Sequence, residues 1–210
     1  MPHPAQASRP GWHGQLQLAY TLEQARTVAR FTHNGPLRVL QSLYPEGHAV
    51  CHNVLVHPPG GLVGGDVLDI RVHLASGTHG LITTPGSTRF YRSDNGAATQ
   101  DVSVQVEDGA RLEWLPLETL AYNQCQGINR AVFTLAPTAE LMAWDITALG
   151  LPAANQAFEQ GQLLQHFEVK DAWLERGLIE GHDKRLLDGP LGLAGRRCSG
   201  TLILARGQEW

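Results

Sequence analysis

Residues able to do chemistry crowd into one stretch of this 210-residue chain, CHNVLVHPPGGLVGGDVL at 51–68. It holds Cys51, His52 and His57, the pair Pro58-Pro59, the glycines Gly60, Gly61, Gly64 and Gly65, and Asp66. Thiolate and imidazole both suit nickel, copper or zinc. In an extended strand, however, Cys51 and His52 point to opposite faces, and His57 lies ~20 Å along from Cys51. The segment alone makes no preformed metal site. A transient site completed by another protein stays open, with ten histidines to draw on. GGLVGGD has no lysine or hydroxyl residue to close a phosphate loop. Its prolines set the direction of the chain and its glycines allow positive φ or close packing. Asp66 is placed to cap the exposed amides of the turn.

Two further segments carry functional side chains. TTPGSTRFYRS (83–93) sets Arg89, Tyr91 and Arg92 beside a Pro-Gly turn, a mixture typical of protein interfaces. LEWLPLETLAYNQ (112–124) carries Glu113, Trp114 and Glu118 around Pro116. Two carboxylates can act as general acid and base only in a positioned cleft. The simpler expectation is that both accept hydrogen bonds on turns. G-x-S-x-G, H-E-x-x-H and C-x-x-C are all missing from the sequence. The first reading is therefore a binding or scaffolding body rather than an enzyme. Its rivals are a small metal-dependent hydrolase using Glu113, Glu118 or Cys and His residues, and a β-rich interaction protein with no metal role.

Composition narrows the partners. Sixteen Lys+Arg against twenty Asp+Glu give a formal charge of −4, and only Lys170 and Lys184 are lysines. No basic field exists to neutralise phosphates, so no nucleic acid is expected. Charged residues make up 17%, below the roughly 25% usual in soluble domains. No apolar stretch nears the ~20 residues of a membrane-spanning helix, and no basic region followed by an apolar run suggests a secretory signal. Cys51, Cys125 and Cys198 are odd in number and far apart, which fits a reducing compartment and a cytoplasmic location.

The elements that must position these residues are strands. In VLDIRVHL (67–74) and DVSVQV (101–106) apolar and polar residues alternate with a period of two, the pattern of a half-buried strand. VHL-ASGTHG-LIT, VQV-EDGAR-LEW and FTL-APTAE-LMAW recur with Leu81, Leu112 and Leu141 as matching positions, and FEV-KDAW-LER (167–176) is a fainter fourth copy. Each unit reads as strand, tight polar turn, strand: a hairpin that buries its apolar side by stacking on its neighbours. The expected fold is all-β dominated, with stacked sheets in a helicoid or β-solenoid-like arrangement; an ordinary antiparallel sandwich is the alternative. One or two short helices are allowed, over 21–31 and over Ala153 to Gln160. Residues 1–11 read as a flexible segment and 12–210 as a single β-rich domain.

The same segments carry a family resemblance. GPLRV (35–39), CHNVLVHPPGGLVGGDVL (51–68), TTPGSTRFYRS (83–93), LEWLPLETL (112–120) and WDITALGLPAANQAFEQG (144–161) resemble, in order and spacing, the urease accessory protein UreD family, called UreH in some organisms. The resemblance implies a helicoid β fold and a non-enzymatic urease maturation chaperone. Its implied partners are a helical UreF-type accessory protein, a UreG-type GTPase carrying nickel, and the urease apoprotein. It implies no stably bound cofactor, with nickel in transit, for which one suggested route is the complex interior. Pro58, Pro59, Gly60, Gly61, Gly64, Gly65 and Asp66 match the family's first loop. Thr84, Pro85, Gly86, Arg89, Tyr91 and Arg92 match the second, and Glu113, Trp114, Leu115, Pro116, Glu118 and Thr119 the third. Asp66 and Glu118 are the carboxylates expected to meet the metal transiently. The chain departs from the family at Leu117, usually Gln, at Leu151, usually Arg, and at Asn155-Gln156, usually Gly-Glu. Family members usually run several tens of residues further, so the domain is expected to be shortened at its C-terminus.

Overall fold

The computed structural model describes residues 11–94 and 96–208. The expected flexible segment 1–11 lies, apart from Gly11, outside the described residues. Fifteen strands account for most of the fold: β1 His13–Glu23, β2 Arg26–Asn34, β3 Arg38–Val39, β4 Val50–Val56, β5 Val67–Leu74, β6 His79–Thr83, β7 Thr88–Phe90, β8 Ala98–Val106, β9 Arg111–Leu115, β10 Thr119–Ala121, β11 Cys125–Leu135, β12 Glu140–Leu149, β13 Gly161–Val169, β14 Trp173–Glu180 and β15 Cys198–Arg206. They form a first sheet of seven strands, β14-β13-β11-β8-β5-β1-β2, and a second of eight, β3-β4-β6-β9-β12-β10-β7 with β15 on β12. The fold is a β-solenoid.

Its repeating units are arches, which corrects the expected hairpins. β5 and β6, β8 and β9, β11 and β12 do not pair with each other. Instead β5 pairs in parallel with β8, β8 with β11, β6 with β9 and β9 with β12. Each polar turn carries the chain from one sheet to the other, so like strands stack along the axis. The turns stack too: Gly77 N–H donates to Asp108 O at 3.2 Å, and the Asp108 carboxylate accepts from Thr138 N–H at 3.1 Å. The fourth copy differs, because β13 and β14 pair antiparallel as a true hairpin. β1 and β2 form another at the opposite end of the first sheet.

Alternation sets what is buried. Leu16, Leu18 and Tyr20 of β1, Ile70, Val72 and Leu74 of β5, and Val102, Val104 and Val106 of β8 line the interior. They meet Ile82, Leu112, Trp114, Leu141 and Ala143 from the second sheet in a single core. Leu112 opposes Leu141, but it opposes Gly80 rather than Leu81. Leu81 instead pairs with Glu113 and faces outward, while Ile82 pairs with Trp114 and is 1% exposed.

Helix is as scarce as expected but lies elsewhere. Residues 21–31 form the tip of the β1–β2 hairpin, where Gln24 and Ala25 take φ of 46° and 66°. Of 153–160, only Pro152–Ala154 makes a turn of 3-10 helix, which Asn155 ends in the left-handed conformation. Glu159 and Gln160 then spend their N–H groups on the Asn123 side chain. The one α-helix, α1 at Lys184–Asp188, is capped by Asp183, whose carboxylate accepts from Leu186 N–H at 3.0 Å, and it buries Leu187.

A two-residue hairpin tip with both φ values positive favours glycine at the second position. Ala25→Gly is expected to stabilise the chain by about 0.5–1 kcal/mol, the relief of the left-handed cost less the added freedom of the unfolded chain. Urea unfolding would show it as a higher midpoint at unchanged slope.

Candidate functional site

Prolines interrupt the second sheet at one end. β6 and β7 are separated by residues 84–87, and β9 and β10 by residues 116–118, while β12 runs on unbroken beside both β9 and β10. Pro85 and Pro116 cannot donate to the ladder, so the chain loops out at these points. The two loops are laced together. Leu117 N–H donates to Thr84 Oγ1 at 3.0 Å and Thr88 N–H to Glu118 O at 3.0 Å. The Ser87 hydroxyl donates to the Glu118 carboxylate, and the Trp144 indole N–H to Pro116 O at 2.7 Å.

The proline-glycine loop is the next layer of this stack. Leu62 N–H donates to Arg89 O at 2.7 Å, and Tyr91 N–H to Leu62 O at 2.9 Å. A Cβ on Gly61 would stand 2.2 Å from Cε2 of Tyr91. Only glycine lets that ring lie flat there, and Tyr91 in turn meets Tyr122 edge-on at 4.8 Å between centroids. Gly60 and Gly65 both take positive φ, 75° and 82°. Asp66 is 4% exposed, and its carboxylate accepts from Trp12 N–H at 2.8 Å and Val63 N–H at 2.9 Å. It therefore caps the turn's amides and ties the loop to the entry of β1.

A cleft of about 270 Å³ opens among these loops. His57, Pro58, Gly60, Arg89, Trp114 and Pro116 line it, together with Thr88 and Gln100. Burial pulls the His57 imidazole below its ordinary pKa, against the opposing effect of Asp66. The Ser87 hydroxyl, then backbone N–H and the Arg89 charge, hold Glu118 below the usual carboxylate range. Arg89 has a buried Nε without a hydrogen bond, and Tyr91, Tyr122 and Glu118 lie around its guanidinium. Arg92 points outward to Asp94 at 3.2 Å. Pro59 is exposed and Gly64 half-buried on the same loop.

The other candidates stay apart. Cys51 is buried 3.5 Å from Asn53 Oδ1, while His52 turns outward to Glu46 at 2.7 Å. Glu113 faces His79 at 2.9 Å on the outer side of the second sheet, away from the Ser87 partner of Glu118. Among the described residues no three His, Cys, Asp or Glu side chains are grouped to hold a metal ion.

Below the cleft runs a feature that the sequence reading missed. Gln100, Asn129 and Gln165 oppose one another across β8, β11 and β13. Thr88, Thr119 and Thr147 do the same across β7, β10 and β12. Asn129, Gln165, Thr119 and Thr147 are all under 9% exposed, so both rows face the interior and form a polar seam along the solenoid axis. Gln100 Nε2 donates to Asn129 Oδ1 at 3.1 Å, and Asn129 Nδ2 to Asp145 Oδ2 at 3.1 Å. Asp145 Oδ1 accepts from Thr147 Oγ1 at 3.0 Å and from Gln165 Nε2, whose Oε1 is buried without a partner. The signal was present in WDITAL: Asp145 and Thr147 occupy inward positions of the alternation that buries Leu141, Ala143 and Leu149.

Burial pushes the Asp145 carboxyl up in pKa, with Glu175 adding to the rise and hydrogen bonds from Thr147, Asn129 and Gln165 opposing it. A folded pKa above the unfolded value means that stability present at low pH is lost as pH rises through the folded pKa. The contribution of Asp145 to stability is expected to fall as pH climbs from about 4 upward, opposite in sign to that of Glu118, whose pKa is lowered. Asp145→Asn would flatten that slope, read as urea midpoints across pH.

Comparison with known proteins places this architecture. The profile of the UreD urease accessory protein family matches residues 13–210. The chain is 59% identical over 196 residues to the urease accessory protein UreD of Variovorax paradoxus (strain S110), covering 93% of this chain and 71% of that protein. Against UreD of Paracidovorax citrulli (strain AAC00-1) the identity is 58% over 197 residues, 94% of this chain and 71% of the relative. UreD of Methylibium petroleiphilum (strain ATCC BAA-1232 / LMG 22953 / PM1) is 49% identical over 215 aligned positions, covering 93% and 73%. With relatives this similar across nearly its whole length, the chain belongs to the UreD urease accessory protein family.

Proposed function

We propose that this chain is a non-enzymatic scaffold for nickel insertion into urease. It brings a UreF-type accessory protein and a UreG-type GTPase to the urease apoprotein, and nickel passes through it as cargo. A cytoplasmic location goes with that role. The loop stack is the docking face of this reading. Arg89, Tyr91, Arg92 and Tyr122 give it the arginine–aromatic chemistry of an interface core, and the prolines and glycines fix its shape.

The observation that carries the cargo role is the polar seam. Buried amides and hydroxyls cost free energy unless paired, and a β core gains nothing from them as packing. A continuous row of oxygen donors from the cleft residues Thr88 and Gln100 to Asp145 has a purpose if a hydrated cation must cross the interior. Glu118 stands beside the cleft mouth to meet the ion. Asp66 is the second carboxylate of this reading, with its lone pairs partly committed to loop amides. The hydrolase reading has no comparable support, since Glu113 and Glu118 serve different partners.

Reconstitution tests the proposal. Urease apoprotein, UreF-type and UreG-type proteins and nickel are combined with and without this chain, and urease activity is followed. The chain is expected to co-purify with the complex and to raise nickel-dependent activation. Asp145→Asn should keep assembly and lower activation several-fold, while Arg89→Ala should weaken assembly itself. Unchanged activation without the chain, together with no complex, would sink the reading.

A further inference from the structure

β14 forms the outer edge of the first sheet. Trp173 through Leu178 are all exposed, and no described strand pairs with the side facing away from β13. Natural proteins shield such edges with proline, charged side chains, a bulge, a very short strand or a covering element. WLERGLIE has neither proline nor lysine, and it runs in unbroken register with β13 from Val169↔Trp173 to Gln162↔Glu180. Among the described residues the outer hydrogen-bonding side of this edge is open, and its charges are Glu175, Arg176 and Glu180.

Its residue order is self-complementary. The buried Phe167 and Val169 oppose Glu175 and Trp173, so Leu174, Arg176, Leu178 and Glu180 share the outward face. Arg176 and Glu180 flank Leu178 at equal spacing, and neither has an ion-pair partner among the described residues. They stand too far apart along one strand to pair with each other. An antiparallel copy centred on Leu178 sets each Arg176 opposite a Glu180 of the second copy, with the two Leu178 side chains between them. On the inward face the same register lays Ile179 over Gly177, where an added Cβ would meet nothing within 4 Å. Centring on Glu175 or on Arg176 instead would set like charges face to face, which disfavours both.

We propose that β14 pairs antiparallel with β14 of a second copy of this chain, about a two-fold axis at Leu178, with two reciprocal Arg176–Glu180 ion pairs. The first sheet then continues across the axis. The backbone supplies affinity, and the charges supply register. The surface is separate from the loop stack, so it does not depend on the proposed urease role.

Sedimentation equilibrium of the full chain tests this. The wild type is expected to show a reversible, concentration-dependent dimer. Arg176→Glu should weaken dimerisation by about tenfold or more, as two attractive pairs become repulsive. Arg176→Glu/Glu180→Arg should restore the affinity, which a loss of fold could not do. Circular dichroism confirms that each variant keeps its strands. A chain that stays monomeric, an association indifferent to Arg176→Glu, or a charge-swapped variant that stays weak would each overturn the proposal.

Discussion

Parallel, in-register stacking is the constraint from which the rest of this structure follows. Once β5, β8, β11 and β13 stack in parallel, every residue sits above its counterpart one turn away, and each position becomes a column. Apolar columns make the core. Turn columns make a ladder, in which one turn's side chains satisfy the next turn's amides, as Asp108 does for Thr138. A polar side chain placed over an apolar one has no partner on that side, so polar residues gain from stacking on each other, as Gln100 does on Asn129. The Thr88–Thr119–Thr147 column is polar across β7, β10 and β12, and the Gln100–Asn129–Gln165 column is polar across β8, β11 and β13 before it gives way to Leu68 on β5.

The same constraint explains the family motifs. HPPGG, TTPGS and EWLPLE lie 20 to 30 residues apart in sequence, yet they occupy adjacent layers at one end of the second sheet. Each must leave the ladder at the same height, so each carries proline where a strand N–H would otherwise be required. Because the layers touch, their side chains are mutually specified. Gly61 exists for the Tyr91 ring, and Tyr91 meets Tyr122. Asp66 closes the outermost layer against β1. Substitution in one loop is therefore felt in the next, which is what holds the loop stack to one shape without a helix to brace it.

Much of this was legible in the sequence, and the failures have physical causes. The period-two alternation gave the strands, and their recurrence gave the stack. What each strand pairs with was not legible, because a hairpin and an arch have the same local sequence: strand, polar turn, strand. The choice between them is made by contacts some thirty residues away. The register slip at Leu81 has a related origin, since matching leucines overlooks that Gly80 holds the inward position equivalent to Leu112. Helix propensity at 153–160 was overruled by the Asn123 side chain, which offered those amides a tertiary partner. The seam was missed for a different reason. Its residues are ordinary singly, and only the column makes them unusual.

The interior seam and the marginal stability of a β-solenoid pull in opposite directions. An apolar replacement of Asn129, Asp145 and Gln165 would remove a half-buried carboxylate and an unpaired carbonyl, and replacing buried charged groups by packed apolar ones is often stabilising. Stability alone therefore does not account for the cluster. Specifying how the sheets face each other would account for one cross-sheet contact, such as Asn129 to Asp145. It would not account for a polar row that begins at the cleft and continues across β8, β11 and β13. Nor would it account for leaving Gln165 Oε1 without a donor. A free acceptor beside a carboxylate, in a row of hydroxyls and amides, is an arrangement suited to a passing hydrated cation, which brings its own donors and takes them away again.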